Sequence, residues 1–114
     1  MVVEDDASIR DMLVRSLGTS YCVYESSDGQ TALENLARMK PPDLIIMDVM
    51  MPRMDGCAAF RAMRGHLQGD GLPIVLMSAM AEPADLDPEI AAFLRKPVDL
   101  EDLLALVARL LMDS

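Results

Sequence analysis

The chain has 114 residues, with 19 acidic residues against 10 Lys and Arg, a formal net charge of -9, one His and no Trp. At roughly 100–200 residues per domain this is a single core, large enough to do without the staples that chains below about 70 residues need. The charge repels phosphate backbones and no basic patch offsets it, which argues against direct nucleic-acid binding; no apolar run approaches the roughly 18 residues of a membrane span.

Met1–Val3 is a short β-branched run, read as the first strand, and Glu4, Asp5 and Asp6 follow it. Ile9, Met12, Leu13, Ser16 and Leu17 recur at helical spacing, with Asp5 or Asp6 as cap and Gly18 as stop. Tyr21–Tyr24 reads as the second strand, with Cys22 buried in it. Ser27 followed by Gln30 is a capping-box pattern opening a second helix, with Ala32, Leu33, Leu36 and Ala37 on one face. Leu44–Met47 reads as the third strand and ends at Asp48. Asp55 suits the cap of a third helix that turns Phe60 and Met63 inward and carries Arg61 and Arg64 near its end, where cations suit the macrodipole. A loop runs from His66 to Gly71, and His66 is read as a solvated residue of it. Ile74–Met77 is the fourth strand, followed by Ser78. Ala79–Ala92 breaks the alternation, because Pro83 and Pro88 permit only a short or broken helix. Phe93–Leu94 is the fifth strand, Lys96-Pro97 follows, and Asp99 starts a last helix with the stripe Leu100, Leu103, Leu104, Val107 and Leu111.

Apolar residues make up 52% of the chain and aromatics 4%, so Leu, Val, Ile, Ala and eleven Met must build the core. Such a core is adaptable, because Met fills irregular gaps. With no basic stretch and apolar run of the signal-peptide kind at its start, the chain reads as soluble and cytoplasmic. Cys22 and Cys57 are separated by 34 residues without a neighbouring His or CxxC, and read as two reduced structural thiols. The Met-rich stretch Met47 to Met54 reads as packing, since no Cys or His supplements it as a soft-metal site.

Strand and helix alternating in this way call for a parallel sheet covered on both faces, with function beyond the carboxyl ends of the strands. The residues just past those ends are Glu4, Asp5 and Asp6, then Asp48, then Ser78, then Lys96-Pro97. Carboxylates gathered on one edge repel one another unless a cation intervenes. A hard, oxygen-seeking divalent ion such as Mg²⁺ meets that need and keeps waters that a phosphate can replace. Lys96 adds a fixed positive charge and Ser78 a hydroxyl donor, so the set suits a phosphoryl group on or near a carboxylate.

Four motifs in order carry a resemblance. They are Val2-Val3-Glu4-Asp5-Asp6; the stretch Asp43 to Gly56, with Asp48, Pro52 and Asp55; Pro73 to Ala79, with Ser78; and Phe93-Leu94-Arg95-Lys96-Pro97. Over nearly its whole length the chain resembles the receiver domain of two-component response regulators. The resemblance implies a flavodoxin-like (βα)5 three-layer sandwich around a five-stranded parallel sheet of order 2-1-3-4-5. It implies Asp48 as phosphoacceptor, Asp5 as direct Mg²⁺ ligand, Glu4 acting through water, and the backbone carbonyl of Met50 completing the protein's share of the metal shell. Mn²⁺ would substitute for Mg²⁺. Lys96 would contact the phosphoryl group, Ser78 would donate to it after transfer, Phe93 stands at the aromatic switch position, and Lys96-Pro97 is expected to be cis. The implied partner is a histidine kinase or histidine phosphotransfer protein, with self-association left open and no nucleic acid or membrane contact.

Ser78 and Lys96 lie 18 positions apart, fewer than is usual in that family by about one helical turn. The fourth helix is therefore expected to be truncated, distorted or mobile, and a standard dimer through that face is not assumed. The first strand starts abruptly at Met1, so residues 1–114 read as one receiver domain, cut from a longer chain if native residues are missing there. The leading function is a phosphorylation-controlled signalling module, not an enzyme. The alternatives are a docking or dimerisation module that needs no phosphate, and a phosphatase with an aspartyl-phosphate intermediate, disfavoured because Met50 stands where that chemistry places a second acid.

Overall fold

Val2, Val3 and the runs Ile45–Asp48 and Ile74–Ser78 are buried throughout, as strands are when helices cover both faces of a parallel sheet. The computed structural model describes residues 1–38, 40–49, 61–62, 72–80, 82 and 89–112. In chain order they form β1 (Val2–Val3), α1 (Ala7–Gly18), β2 (Glu25–Ser26), α2 (Gly29–Leu36), β3 (Ile45–Asp48), β4 (Ile74–Ser78), β5 (Ala92–Arg95) and a C-terminal helix (Leu100–Met112). The five strands make one parallel sheet in the order β2-β1-β3-β4-β5.

Successive strand residues point to opposite faces, and the core divides accordingly. Val3, Ile45, Met47, Ile74 and Leu76 pack with Ala32 and Leu36 of α2. Val2, Ile46, Val75 and Met77 pack on the other side with Leu13 and Leu17 of α1 and Leu103 and Val107 of the C-terminal helix. The result is a three-layer sandwich in which each fully buried aliphatic side chain contributes about 1.5–3 kcal/mol. No helix of the described residues is long and apolar enough to cross a membrane.

Each described helix starts on an aspartate. Asp6, not Asp5, caps α1 by accepting from the Ser8 and Ile9 amides. The C-terminal helix is held by Asp99, which accepts from the Glu101 and Asp102 amides at 2.9 and 3.1 Å. For α2 the expected Ser27 capping box is replaced by buried Asp28, whose Oδ1 accepts from the Thr31 amide at 2.7 Å.

The second strand also departs from the sequence reading. Pairing falls on Glu25 and Ser26, opposite Val2 and Val3, and Tyr21–Tyr24 lies before it. Tyr21 and Val23 pack against the core while Cys22 and Tyr24 are exposed, so the apolar run alternates without forming strand and Cys22 is not buried. Met12 and Ala37 are likewise exposed. β5 is longer than expected and only partly buried. Of the expected third helix, residues 61–62 are helical; Asp55, Cys57, His66 and the Met-rich stretch from Met50 to Met54 lie outside the described residues, as does the middle of the fourth-helix segment with Pro83 and Pro88.

The caps give a direct test. Asp28→Ala is expected to cost about 1 kcal/mol, within the ~0.5–2 kcal/mol of a lost N-cap, whereas Ser27→Ala at its exposed position should stay within about 0.5 kcal/mol. Urea unfolding of the two variants checks this, and the reverse order of losses would restore the capping box.

Candidate functional site

Parallel pairing sets the strand ends level. Val3 lies opposite Met47, Asp48 opposite Met77 and Ser78 opposite Arg95, so Glu4, Asp48, Ser78 and Lys96 come to one edge. Glu4 is fully buried, Asp48 is 4% exposed and Ser78 2% exposed, while Asp5 is exposed at the rim. Asp6 is occupied with capping α1.

Lys96 is the centre of this group. Its Nζ lies 2.6 Å from Glu4 Oε1 and 3.2 Å from Asp48 Oδ2, with its side chain 18% exposed. Its backbone N–H donates to the Ser78 carbonyl at 2.7 Å, which extends the β4–β5 ladder past Arg95 and aims the side chain at the acids. The Lys96-Pro97 bond is cis. Ser78 Oγ accepts from the Met80 amide at 3.0 Å, leaving the hydroxyl proton free to donate elsewhere. Val49 N–H donates to the Met77 carbonyl at 2.8 Å and so holds the chain leaving Asp48 against β4.

Burial pushes the Glu4 carboxyl up to about 7; hydrogen bonding to Asp48 adds to the rise, and Lys96 opposes it. Burial works to lower Lys96, yet its hydrogen bonds to Glu4 and Asp48 outweigh burial and raise it. One ammonium is thus shared by two carboxylates, and it does not fully offset the burial of Glu4. Glu4 Oε2 is buried with no hydrogen-bond partner among the described residues, a condition that costs about 1–3 kcal/mol.

Glu4, Asp5 and Asp48 each offer one carboxylate oxygen, and these lie within 4.8 Å of one another. They are hard oxygen donors of the kind Mg²⁺ takes, and the unpartnered Glu4 oxygen is a ready acceptor for a water of its shell, so the residues fit such an ion. A cavity of about 430 Å³ lies at the opposite end of the sheet, between Met1, Tyr21, Leu44 and Val107. Phe93 lies on β5, partly buried against the face that holds Ile74 and Leu76, away from the acids. Met50 lies outside the described residues. One residue that the spacing did not single out also touches the site: Arg10 Nη1 donates to the Glu4 carbonyl at 2.8 Å. Its partners are distant in sequence, so no local pattern signals it.

Residues 1–108 match the response regulator receiver domain family, and the chain belongs to it. Domains of this class work in two-component signalling with histidine kinases or phosphotransfer proteins. Among the relatives, response regulator MprA of Mycobacterium leprae is 41% identical over 116 aligned residues covering 97% of this chain and 50% of that protein. MprA of Mycobacterium tuberculosis is 41% identical over 97% of this chain and 49% of that protein. The chain therefore spans about half the length of the curated relatives it matches. Similar solved structures include the receiver domain of a signal transduction histidine kinase from Syntrophus aciditrophicus, with TM-score 0.86, 32% identity and coverage of 98% of this chain and 88% of that one. Chemotaxis response regulator CheY4 of Vibrio cholerae matches with TM-score 0.83 and 31% identity over 96% of this chain and 94% of that one.

The Glu4 environment makes stability depend on pH. Its folded pKa of about 7 lies above the ordinary 4.5, so the folded state holds the proton more tightly. The stability it contributes is complete below the unfolded value and is lost as the pH rises through the folded one. In chelator, unfolding free energy is expected to fall by about 1–3 kcal/mol between about pH 5.5 and about pH 8, and Glu4→Gln should flatten that slope. Urea unfolding at the two pH values measures it; identical slopes in the two proteins would show that Glu4 is not the group responsible.

Proposed function

We propose that residues 1–114 form one receiver domain that takes a phosphoryl group from a phosphohistidine onto Asp48. The observation that carries this reading is Lys96 Nζ seated between Glu4 and Asp48 at the carboxyl edge of the sheet. An Asp48 carboxylate oxygen attacks phosphorus, the phosphorus–nitrogen bond breaks, and its electron pair leaves with the imidazole of the donor. The product is an acyl phosphate on Asp48. Lys96 stays beside the carboxylate and follows the charge that develops on the phosphoryl oxygens, a stabilisation strongest where water is excluded.

Asp5, Asp48 and the Met50 backbone carbonyl would hold Mg²⁺, with Glu4 bonding to it through water and Mn²⁺ as a substitute. When bound, that ion supplies positive charge against the phosphoryl oxygens. Ser78 donates its free hydroxyl proton to the new phosphoryl group, whose ~-1.5 to -2 charge and acceptor oxygens reward the move. Phe93, one strand residue in register with Leu76, then turns into the space Ser78 yields, and the surface around β5 and the C-terminal helix reads out the state. The donor is a histidine kinase or a phosphotransfer protein in the cytoplasm, and any output lies with the remainder of a longer protein or with a partner.

Incubation with acetyl phosphate and Mg²⁺ should add one phosphoryl group to the intact mass. Asp48→Asn is expected to abolish the gain, and Lys96→Ala to slow it by about tenfold or more; a gain retained in Asp48→Asn would place the chemistry elsewhere. Met50 and Met80 stand two residues past Asp48 and Ser78 and neither side chain can orient an attacking water. Slow hydrolysis of the acyl phosphate is the expected result, with a shorter half-life in Met50→Asn; an unchanged or longer half-life would contradict it.

A further inference from the structure

We propose that Arg10 is a positioning residue for the divalent-cation site, its guanidinium fixing the peptide unit that joins Glu4 to Asp5. This rests on the reading above, in which Asp5 and Glu4 serve a cation. Arg10 lies on the first turn of α1, where its own amide donates to the Asp6 carbonyl at 2.9 Å. Its Nη1 donates to the Glu4 carbonyl at 2.8 Å, and its Nε to Glu25 Oε1 at 3.3 Å. One planar fork therefore ties the start of α1 to the end of β1 and to β2.

The carbonyl it holds is the informative part. It belongs to the peptide that carries the chain from the buried acid to the exposed one, so its orientation sets where the Asp5 Cα–Cβ bond points. The preceding peptide is pinned already, since Glu4 N–H donates to the Ser26 carbonyl at 3.1 Å. Among the described residues the Asp5 carboxylate accepts no hydrogen bond, so among them it is the backbone that directs it. Arg15 makes a useful contrast. It is 81% exposed and pairs with Asp11 on its own helix, whereas the Arg10 side chain is 20% exposed and reaches across elements. A planar guanidinium can hold a carbonyl and a carboxylate at once, and an ammonium cannot reproduce that fork.

The sign of one measurement separates positioning from plain electrostatics. Arg10 carries positive charge near a cation site, so if charge were its only influence, removing it would tighten Mg²⁺ binding. If it positions Asp5, removing it weakens binding. Mg²⁺ titration by calorimetry, on protein held well below each variant's unfolding midpoint, is expected to show about tenfold weaker affinity in Arg10→Gln, at the low end of the ~10–100-fold cost of losing a group that orients a metal ligand. Arg10→Lys should recover only part of the loss, because it restores charge without the fork. Asp5→Asn run alongside should lose affinity more steeply than either. Arg10→Gln binding as tightly as wild type, or tighter, while Asp5→Asn is weak would overturn the role of Arg10 and leave the metal site standing. Wild-type affinity in Asp5→Asn would instead overturn the metal reading, and this inference with it. Should Arg10→Gln not fold, Glu25→Gln carries the test, since it loosens the same guanidinium from the exposed side; about two- to fivefold weaker binding is expected, and an unchanged affinity counts against the proposal.

Discussion

The Lys96 ammonium, held between Glu4 and Asp48 at 2.6 and 3.2 Å, is the contact on which the rest of the site depends. Strand β5 stands three positions from β1 in the sheet, roughly 14 Å at ordinary strand spacing. A lysine just past β5 and a glutamate just past β1 close that gap together, their extended side chains meeting beside Asp48 at the end of β3. Two buried carboxylates without that ammonium would be left uncompensated, which costs several kcal/mol. The same charge makes the edge a place for an anionic group, so the demand of folding and the demand of phosphoryl chemistry fall on one atom.

The acidic excess of the chain divides along these lines. Asp6, Asp28 and Asp99 each satisfy amides at a helix start, a local duty worth about 1 kcal/mol apiece. Glu4 and Asp48 are buried against Lys96, and Glu4 retains one unpartnered oxygen. Asp5 stands exposed beside them with no such duty, which leaves it free to serve a ligand. Three neighbouring acids, Glu4, Asp5 and Asp6, thus do three different things because a strand end, a turn and a helix cap follow one another without a spare residue.

The sheet and the converging residues were legible because short apolar runs in a parallel α/β pattern end where their polar residues begin. Asp48, Ser78 and Lys96 could be read from position alone. The two-residue strand β2 was not legible, since its location is chosen by the partners Val2 and Val3 and not by its own composition: Glu25 and Ser26 are poor strand formers, and the apolar Tyr21–Tyr24 next to them is the stronger local signal. The cap of α2 was misplaced because burial selects Asp28 over Ser27, and burial is a tertiary fact. Arg10 was invisible for the same reason, its partners being set by packing and not by spacing. The relatives extend to about twice this length.

The most direct test of the central contact is nitrogen-detected NMR of the Lys96 side chain in the intact domain. The account expects its ammonium to be shielded from exchange, to keep its proton above the ordinary lysine range in line with its raised pKa, and to shift when either Glu4→Gln or Asp48→Asn is introduced. A Lys96 resonance that exchanges and titrates like that of an exposed lysine, and is indifferent to both substitutions, would contradict it.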